Sequence, residues 1–162
     1  MYRMPKHRLI QHIIESNMIE GIGWDEENVG YDGWTDPETH VPVYIKFFTK
    51  KLSVASIVDF VSAIAPHAAF RNSEKVPGVR VGGHVAPPSG PEIEQRLSNM
   101  LEDYKRSDVD PYNFHKFYED LHPFTDGNGR SGRAIWLHMM GSRVPDYGFL
   151  QWFYYQTLAS MR

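Results

Sequence analysis

The chain has no cysteine among its 162 residues. A disulfide scaffold, a cysteine-ligated zinc ribbon and a thiol nucleophile are therefore excluded. It also lacks a basic excess: 17 Lys and Arg stand against 20 Asp and Glu, a formal net charge of −3. A protein whose main task is to neutralise nucleic-acid phosphates needs the opposite balance, so no nucleic-acid partner is expected. Long apolar runs are missing as well. The most apolar stretch, SIVDFVSAIAPHAAF, is broken by Asp59 and Pro66 and is too short to span a bilayer, so no membrane role is expected. The opening MYRMPKHRLI is basic but has no apolar h-region and no small-residue cleavage site. It reads as no signal peptide, and cytoplasmic residence is the default expectation.

What is present is a globular composition. Hydrophobic residues make up 41% and charged residues 23%, too apolar for disorder. The length suits one domain, residues 1–162, with a core of its own. Residues 6–21 read as a helix with Leu9, Ile10, Ile13, Ile14 and Met18 on one apolar face, closed by Gly21. Residues 23–42 are rich in acidic residues, Gly and Pro and read as a connector loop pinned by Trp24, Tyr31 and Trp34. Residues 53–70 read as a helix capped by Ser53. Within 76–91 the Pro and Gly content excludes a helix, and Val79, Val81 and Val85 around Gly82-Gly83 suggest a small hairpin or flap. Further helices are expected at 92–105, at 110–121 with Asp110 as N-cap and Pro111 at the first helical position, at 127–140 closed by Gly141, and at 148–161. Phe114, Phe117, Tyr118 and Leu121 form the expected apolar face of the 110–121 helix. The expected fold class is mostly α, a helical bundle with a small β-hairpin flap.

The residues that carry chemistry lie in LHPFTDGNGRSGRAIW, 121–136. A site for a nucleotide polyphosphate needs close-approaching backbone N–H groups, a helix N-terminus, guanidinium cations, a hard oxygen ligand for Mg²⁺ and a base. Gly127, Asn128 and Gly129 open a helix; Arg130 and Arg133, three apart, share one of its faces. Asp126 is a carboxylate at the mouth of that anion site, His122 lies across a short Pro-Phe turn, and Phe124 anchors the loop in the core. Taken singly, Gly-Asn-Gly is a turn, the arginines a solvated face and the histidine a helix-end residue. A coincidence of all of them in one register is improbable.

The run His122-x-Phe124-x-Asp126-Gly127-Asn128-Gly129-Arg130-x-x-Arg133 resembles the signature of the Fic (Fido) family, HxFx(D/E)GNGRxxR, at every position. Upstream, His115-x-x-Tyr118-Glu119-x-Leu121-His122-Pro123-Phe124 is similar to the family's HxxFExIHPF. The segment Pro77-Gly78-x-Arg80 through Val85 and Pro87-Pro88 resembles the region of its substrate-aligning flap, and Tyr154-Tyr155-x-x-Leu158 resembles a C-terminal element of many members. The resemblance implies a protein adenylyltransferase that moves AMP from ATP to a Ser, Thr or Tyr hydroxyl of a target protein. It implies His122 as base and Asp126 as the Mg²⁺ ligand. Gly127, Asn128 (backbone and side chain) and Gly129 would cradle the α and β phosphates. Arg130 would stabilise the leaving phosphates, and Arg133 would hold the γ phosphate.

Ser16-Asn17-Met18-Ile19-Glu20-Gly21 matches the family's inhibitory motif, (S/T)xxxE(G/N), and implies that Glu20 pairs with Arg133 and misplaces ATP. Three departures stand out: the 23–42 segment has no counterpart, the stretch between Pro145 and Tyr154 is short, and the flap residues diverge, so they name no target. Other readings stay open. Fic relatives move phosphate, phosphocholine or UMP, and some remove AMP with these same residues. A non-catalytic nucleotide-binding module would need no His122. A metal hydrolase finds no HExxH among the eight scattered histidines, and the aromatic cluster Trp152 to Tyr155 suits packing or a homo-oligomer better than base stacking.

Overall fold

A computed structural model describes residues 4–144 apart from 26, 28–32 and 34. Among the described residues the chain forms α1 (Lys6–Ile19), α2 (Pro37–Thr49), α3 (Val54–Ile64), the antiparallel pair β1 (Arg80–Val81) and β2 (His84–Val85), α4 (Pro91–Lys105), α5 (Pro111–Leu121) and α6 (Asn128–Met140). The mostly helical class with a small hairpin expected from the sequence is thus found. No helix among the described residues is long and apolar enough to cross a membrane. The expected helix at 148–161, with Trp152–Tyr155 and Leu158, lies outside the described residues, as do Tyr31 and Trp34.

Local chemistry starts most of these helices. The Asp110 carboxylate accepts the N–H groups of Tyr112 and Asn113 at 2.9 and 3.0 Å, and Pro111 fills the first helical position. Ser53 and Ser56 exchange side-chain-to-backbone bonds in a capping box that starts α3. Helix α6 runs through the middle. Ala134, Ile135, Trp136 and Leu137 on it are all buried, α5 packs most extensively against it, and α1 and α3 flank it. Ile57, Phe60 and Val61 of α3, Ile93 and Leu97 of α4 and Phe114 and Tyr118 of α5 complete the core. The site follows from this plan, because the N-terminal end of the most deeply buried helix opens where α1, α3 and α5 meet it.

Four expectations need correction. The 23–42 segment is not a loop throughout, because α2 begins at Pro37 behind an Asp36 cap and runs on to Thr49. Val41, Tyr44 and Phe47 recur every third residue and are buried, and their burial offsets the interior Pro42, a substitution that costs ~3 kcal/mol in an isolated helix. The helix placed at 53–70 stops at Ile64, since Pro66 forces Ala65 out of the helical region, to φ −140° and ψ 74°. On α1 the buried residues are Leu9, His12, Ile13, Glu15, Ser16 and Asn17, with Met18 47% exposed; Ser16 turns inward to the buried Arg133 guanidinium. Phe117 and Trp24 are also exposed rather than packed.

Candidate functional site

The α5–α6 loop is built around Phe124. Its ring is buried and stacks on Phe70 at 5.1 Å between centroids. The buried Asn128 side chain donates to the Phe124 carbonyl at 2.8 Å and accepts its N–H at 2.9 Å. The structure thus places the Asn128 side chain on the loop backbone rather than toward a phosphate: both ends of its amide are engaged with Phe124. Thr125 and Ala69 exchange two further bonds, at 3.0 and 2.8 Å, which fasten the loop to the segment after α3.

At Gly127 the backbone is left-handed, φ 77°, a conformation that favours glycine, and it turns the chain into α6. The first ladder bond of α6 runs from the Ser131 N–H to the Gly127 carbonyl. The N–H groups of Asn128, Gly129 and Arg130 precede it and form the positive end of the helix. Arg130 is buried; its Nη1 donates to the Ile64 carbonyl at 3.2 Å, Nη2 lies 3.8 Å from Asp126, and Nε has no hydrogen-bond partner among the described residues. An unmatched buried donor beside a helix N-terminus is a place for an anion. Asp126 stands at the rim, half exposed. One of its oxygens accepts the Gly127 N–H at 2.6 Å and the other meets His67 Nε2 at 2.5 Å. Its pKa lies below the ordinary carboxylate value: burial opposes the shift, but the Gly127 and His67 bonds and the Arg130 charge outweigh it.

An anionic group already stands at this helix end. Glu20 follows α1, where Gly21 at φ 74° ends the helix. Its Oε1 accepts from Arg133 Nη2 at 2.6 Å, while Arg133 also donates to Ser16 Oγ and the Ser16 carbonyl, both at 2.9 Å. Arg133 is wholly buried. A Cβ added at Gly129 would come within 1.9 Å of Glu20 Oε1, so the carboxylate sits directly over the opening turn of α6.

His122 ends α5 in the left-handed region, φ 51° and ψ 62°. Its Nδ1 lies 3.1 Å from the Glu119 carbonyl, which can only accept, so Nδ1 carries the proton and Nε2 is left as the basic nitrogen. Burial pushes the imidazole pKa down, and the Arg71 and His84 charges push the same way.

The structure gathers His122, Asp126, Gly127, Gly129, Arg130, Arg133, Ser16 and Glu20 at one end of α6. Sequence reasoning missed two neighbours, His67 on Asp126 and Arg71 on the His122 carbonyl. Neither belongs to a local motif, and no signal in the sequence marks them.

The glycine-opened N-terminus of α6, with Arg130 and Arg133 buried against it, is an electropositive end suited to an anionic group. The family model of the Fic/DOC family matches residues 38–140, and the chain belongs to that family. Its general activity is accordingly Fic-type group transfer. No match was found among curated proteins or among solved structures. Helix α1, which carries Ser16, lies N-terminal to the matched span.

Proposed function

We propose that the protein is an adenylyltransferase that moves AMP from ATP to a Ser, Thr or Tyr hydroxyl of a target protein, and that Glu20 holds this activity in check. The observation that carries the reading is the Glu20 carboxylate over the opening turn of α6, 2.6 Å from the buried Arg133. A site that draws in and neutralises a carboxylate has the field and the donors for a phosphate.

The residues fit the nucleotide and its metal. The N–H groups of Asn128, Gly129 and Arg130, with the unmatched Arg130 Nε, would receive the α and β phosphates. Arg133 would take the γ phosphate once Glu20 leaves. Asp126, a carboxylate kept ionised at the rim, is the residue that would hold Mg²⁺. Bound there, the metal would supply charge neutralisation at the phosphates. The target oxygen attacks the α phosphorus while its proton passes to His122 Nε2, and pyrophosphate departs toward Arg130. The protein contributes position and electrostatics rather than covalent chemistry.

The test uses ATP labelled on the α phosphate, with Mg²⁺ and a cell lysate, on the native chain, Glu20→Gly and Glu20→Gly with His122→Ala. Label on protein should rise at least about tenfold with Glu20→Gly and fall by about 10²–10⁴ with His122→Ala. No label from the α position, with label from ATP labelled instead on the γ phosphate, would replace AMP transfer by phosphate transfer. Release of AMP from a pre-modified target that requires Glu20 would replace addition by removal.

A further inference from the structure

Arg71 is 0% exposed, and each of its side-chain nitrogens has an oxygen to donate to. Nε donates to the His122 carbonyl at 2.7 Å and Nη2 to the Leu121 carbonyl at 2.9 Å. Nη1 donates to the Pro87 carbonyl at 2.8 Å and to Ser89 Oγ at 3.1 Å. The backbone joins in: the Arg71 N–H donates to the Pro123 carbonyl and its own carbonyl accepts the Gly90 N–H, both at 2.9 Å. Ser89 Oγ in turn donates to the Pro77 carbonyl at 3.1 Å. One guanidinium therefore joins the His122 loop to the stem after β2 and, through Ser89, to the stem before β1.

No carboxylate pairs with Arg71 among the described residues; carbonyl and hydroxyl oxygens alone receive the charge. Burying a cation without a counter-charge is costly, and an apolar side chain would fill the space at less cost. What an apolar side chain cannot do is answer several oxygens that converge from two directions, which needs a planar fork of donors. Two of those oxygens are the last carbonyls of α5, which have no partner of their own in the helix. The second belongs to His122, a non-glycine residue in the left-handed region, a conformation that persists only where its surroundings hold it. The flap is tied to α5 a second time, through His84 Nε2 and the Asp120 carbonyl at 2.8 Å.

We propose that Arg71 is a positioning residue, whose buried guanidinium fixes the His122 backbone and the hairpin stems in one frame, so that Nε2 of His122 faces the hydroxyl of a target aligned by the hairpin. This rests on the adenylyltransferase reading for the identity of the reaction but not for the frame itself. It separates two tasks at the same loop. Nucleotide binding belongs to α6 and its arginines; orientation of the base relative to the incoming hydroxyl belongs to Arg71.

The experiment compares Arg71→Lys, Arg71→Gln and Ser89→Ala, each in the Glu20→Gly chain. Three readouts are taken: the His122 imidazole by ¹⁵N NMR through a pH titration, MgATP affinity by fluorescence, and single-turnover label transfer from the α phosphate. The groups facing His122 are Arg71, His84 and Glu20, and the last is absent from every chain compared. With Arg71→Gln, MgATP affinity should stay within about twofold while transfer falls by about 10², the scale of a misplaced reacting group. The His122 signal should lose its single Nδ1–H form and its midpoint should rise. Arg71→Lys keeps the charge and loses the fork, so it should recover the midpoint but not the rate.

Ser89→Ala cuts one arm at the half-buried edge, and carries the test if the Arg71 variants do not fold; transfer should fall several-fold at unchanged MgATP affinity. Folded variants with an unaltered His122 tautomer and rate would overturn the proposal, as would a parallel loss of nucleotide affinity. If the Glu20→Gly parent transfers no label at all, the adenylyltransferase reading fails, while the NMR readout still decides the role of Arg71.

Discussion

In the proposed reaction His122 would act as a base only while its ring is neutral, and burial, with the charges of Arg71 and His84, favours that form. Glu20 works in the opposite direction. The sign of the pH dependence follows. Activity should be lost as pH falls through a pKa below the ordinary ~6.5 of imidazole. In the Glu20→Gly chain one group that raises the pKa is gone, so the acid limb should move further down. A turnover profile with its acid limb above pH 7 would contradict this. Gly129 tests the neighbouring contact. A methyl there would land 1.9 Å from Glu20 Oε1, and the flexible carboxylate is what must move, breaking its bond to Arg133. Gly129→Ala should therefore destabilise the native chain by about 1–3 kcal/mol in urea unfolding, the range for a lost bond to a charged group. In the Glu20→Gly chain the same change should be neutral or stabilising, by up to about 1 kcal/mol of helix propensity. Additivity within about 0.5 kcal/mol would mean that Glu20 does not occupy the helix end in solution.

At the scale of elements, what was legible depended on how far the cause lies from its effect along the chain. Helices α5 and α6 were readable because their caps are local: Asp110 with Pro111 at one start, Gly141 at φ 53° at the other end. The loop between them was readable because His122, Asp126 and Arg133 sit in one contiguous motif. Helix α2 was not, although Asp36-Pro37 repeats the Asp110-Pro111 pair, because Pro42 and the acidic Gly-rich approach argued against a helix and only tertiary burial of Tyr44 and Phe47 overrides them. Glu20 reaches Arg133 across 113 positions, and without a known motif nothing local announces that meeting. Arg71 and His67 reach their partners across 51 and 59 positions with no motif at all. Helix α3 offers a test at this scale. Its capping box starts the helix whose last residue, Ile64, accepts from Arg130. Ser53→Ala should cost about 1 kcal/mol in thermal unfolding, with Ser56→Ala non-additive with it since the two bonds are reciprocal. No loss on Ser53→Ala would mean that packing alone holds the helix start.

Two of the molecule's imidazoles, His12 and His115, are buried, and this shapes its response to acid. Burial lowers the His12 pKa to about 4 and the His115 pKa to about 3, with the Arg133 charge adding to the shift at His115. His122 and His40 are lowered for the same first reason. Each such group binds a proton more readily unfolded than folded, so unfolding takes up protons below the unfolded pKa of ~6.5. The stability these groups contribute is complete above that pH and is lost as pH falls toward their folded values. His12 alone should account for about 2–3 kcal/mol between pH 7 and 4.5, since that interval crosses roughly two pH units below the unfolded pKa at the usual ~1.4 kcal/mol per unit. Because His12 lies on α1 one turn before Ser16, acid should loosen the same helix that presents Glu20. The expected outcome is a midpoint of urea unfolding that drops steeply between pH 6.5 and 4.5, and a visibly shallower drop with His12→Phe, which keeps the ring and removes the titration. Hydrogen exchange at α1 should rise over the same interval in the native chain and not in His12→Phe. Equal pH slopes for the two chains would assign the acid sensitivity to the other buried imidazoles and leave α1 uninvolved.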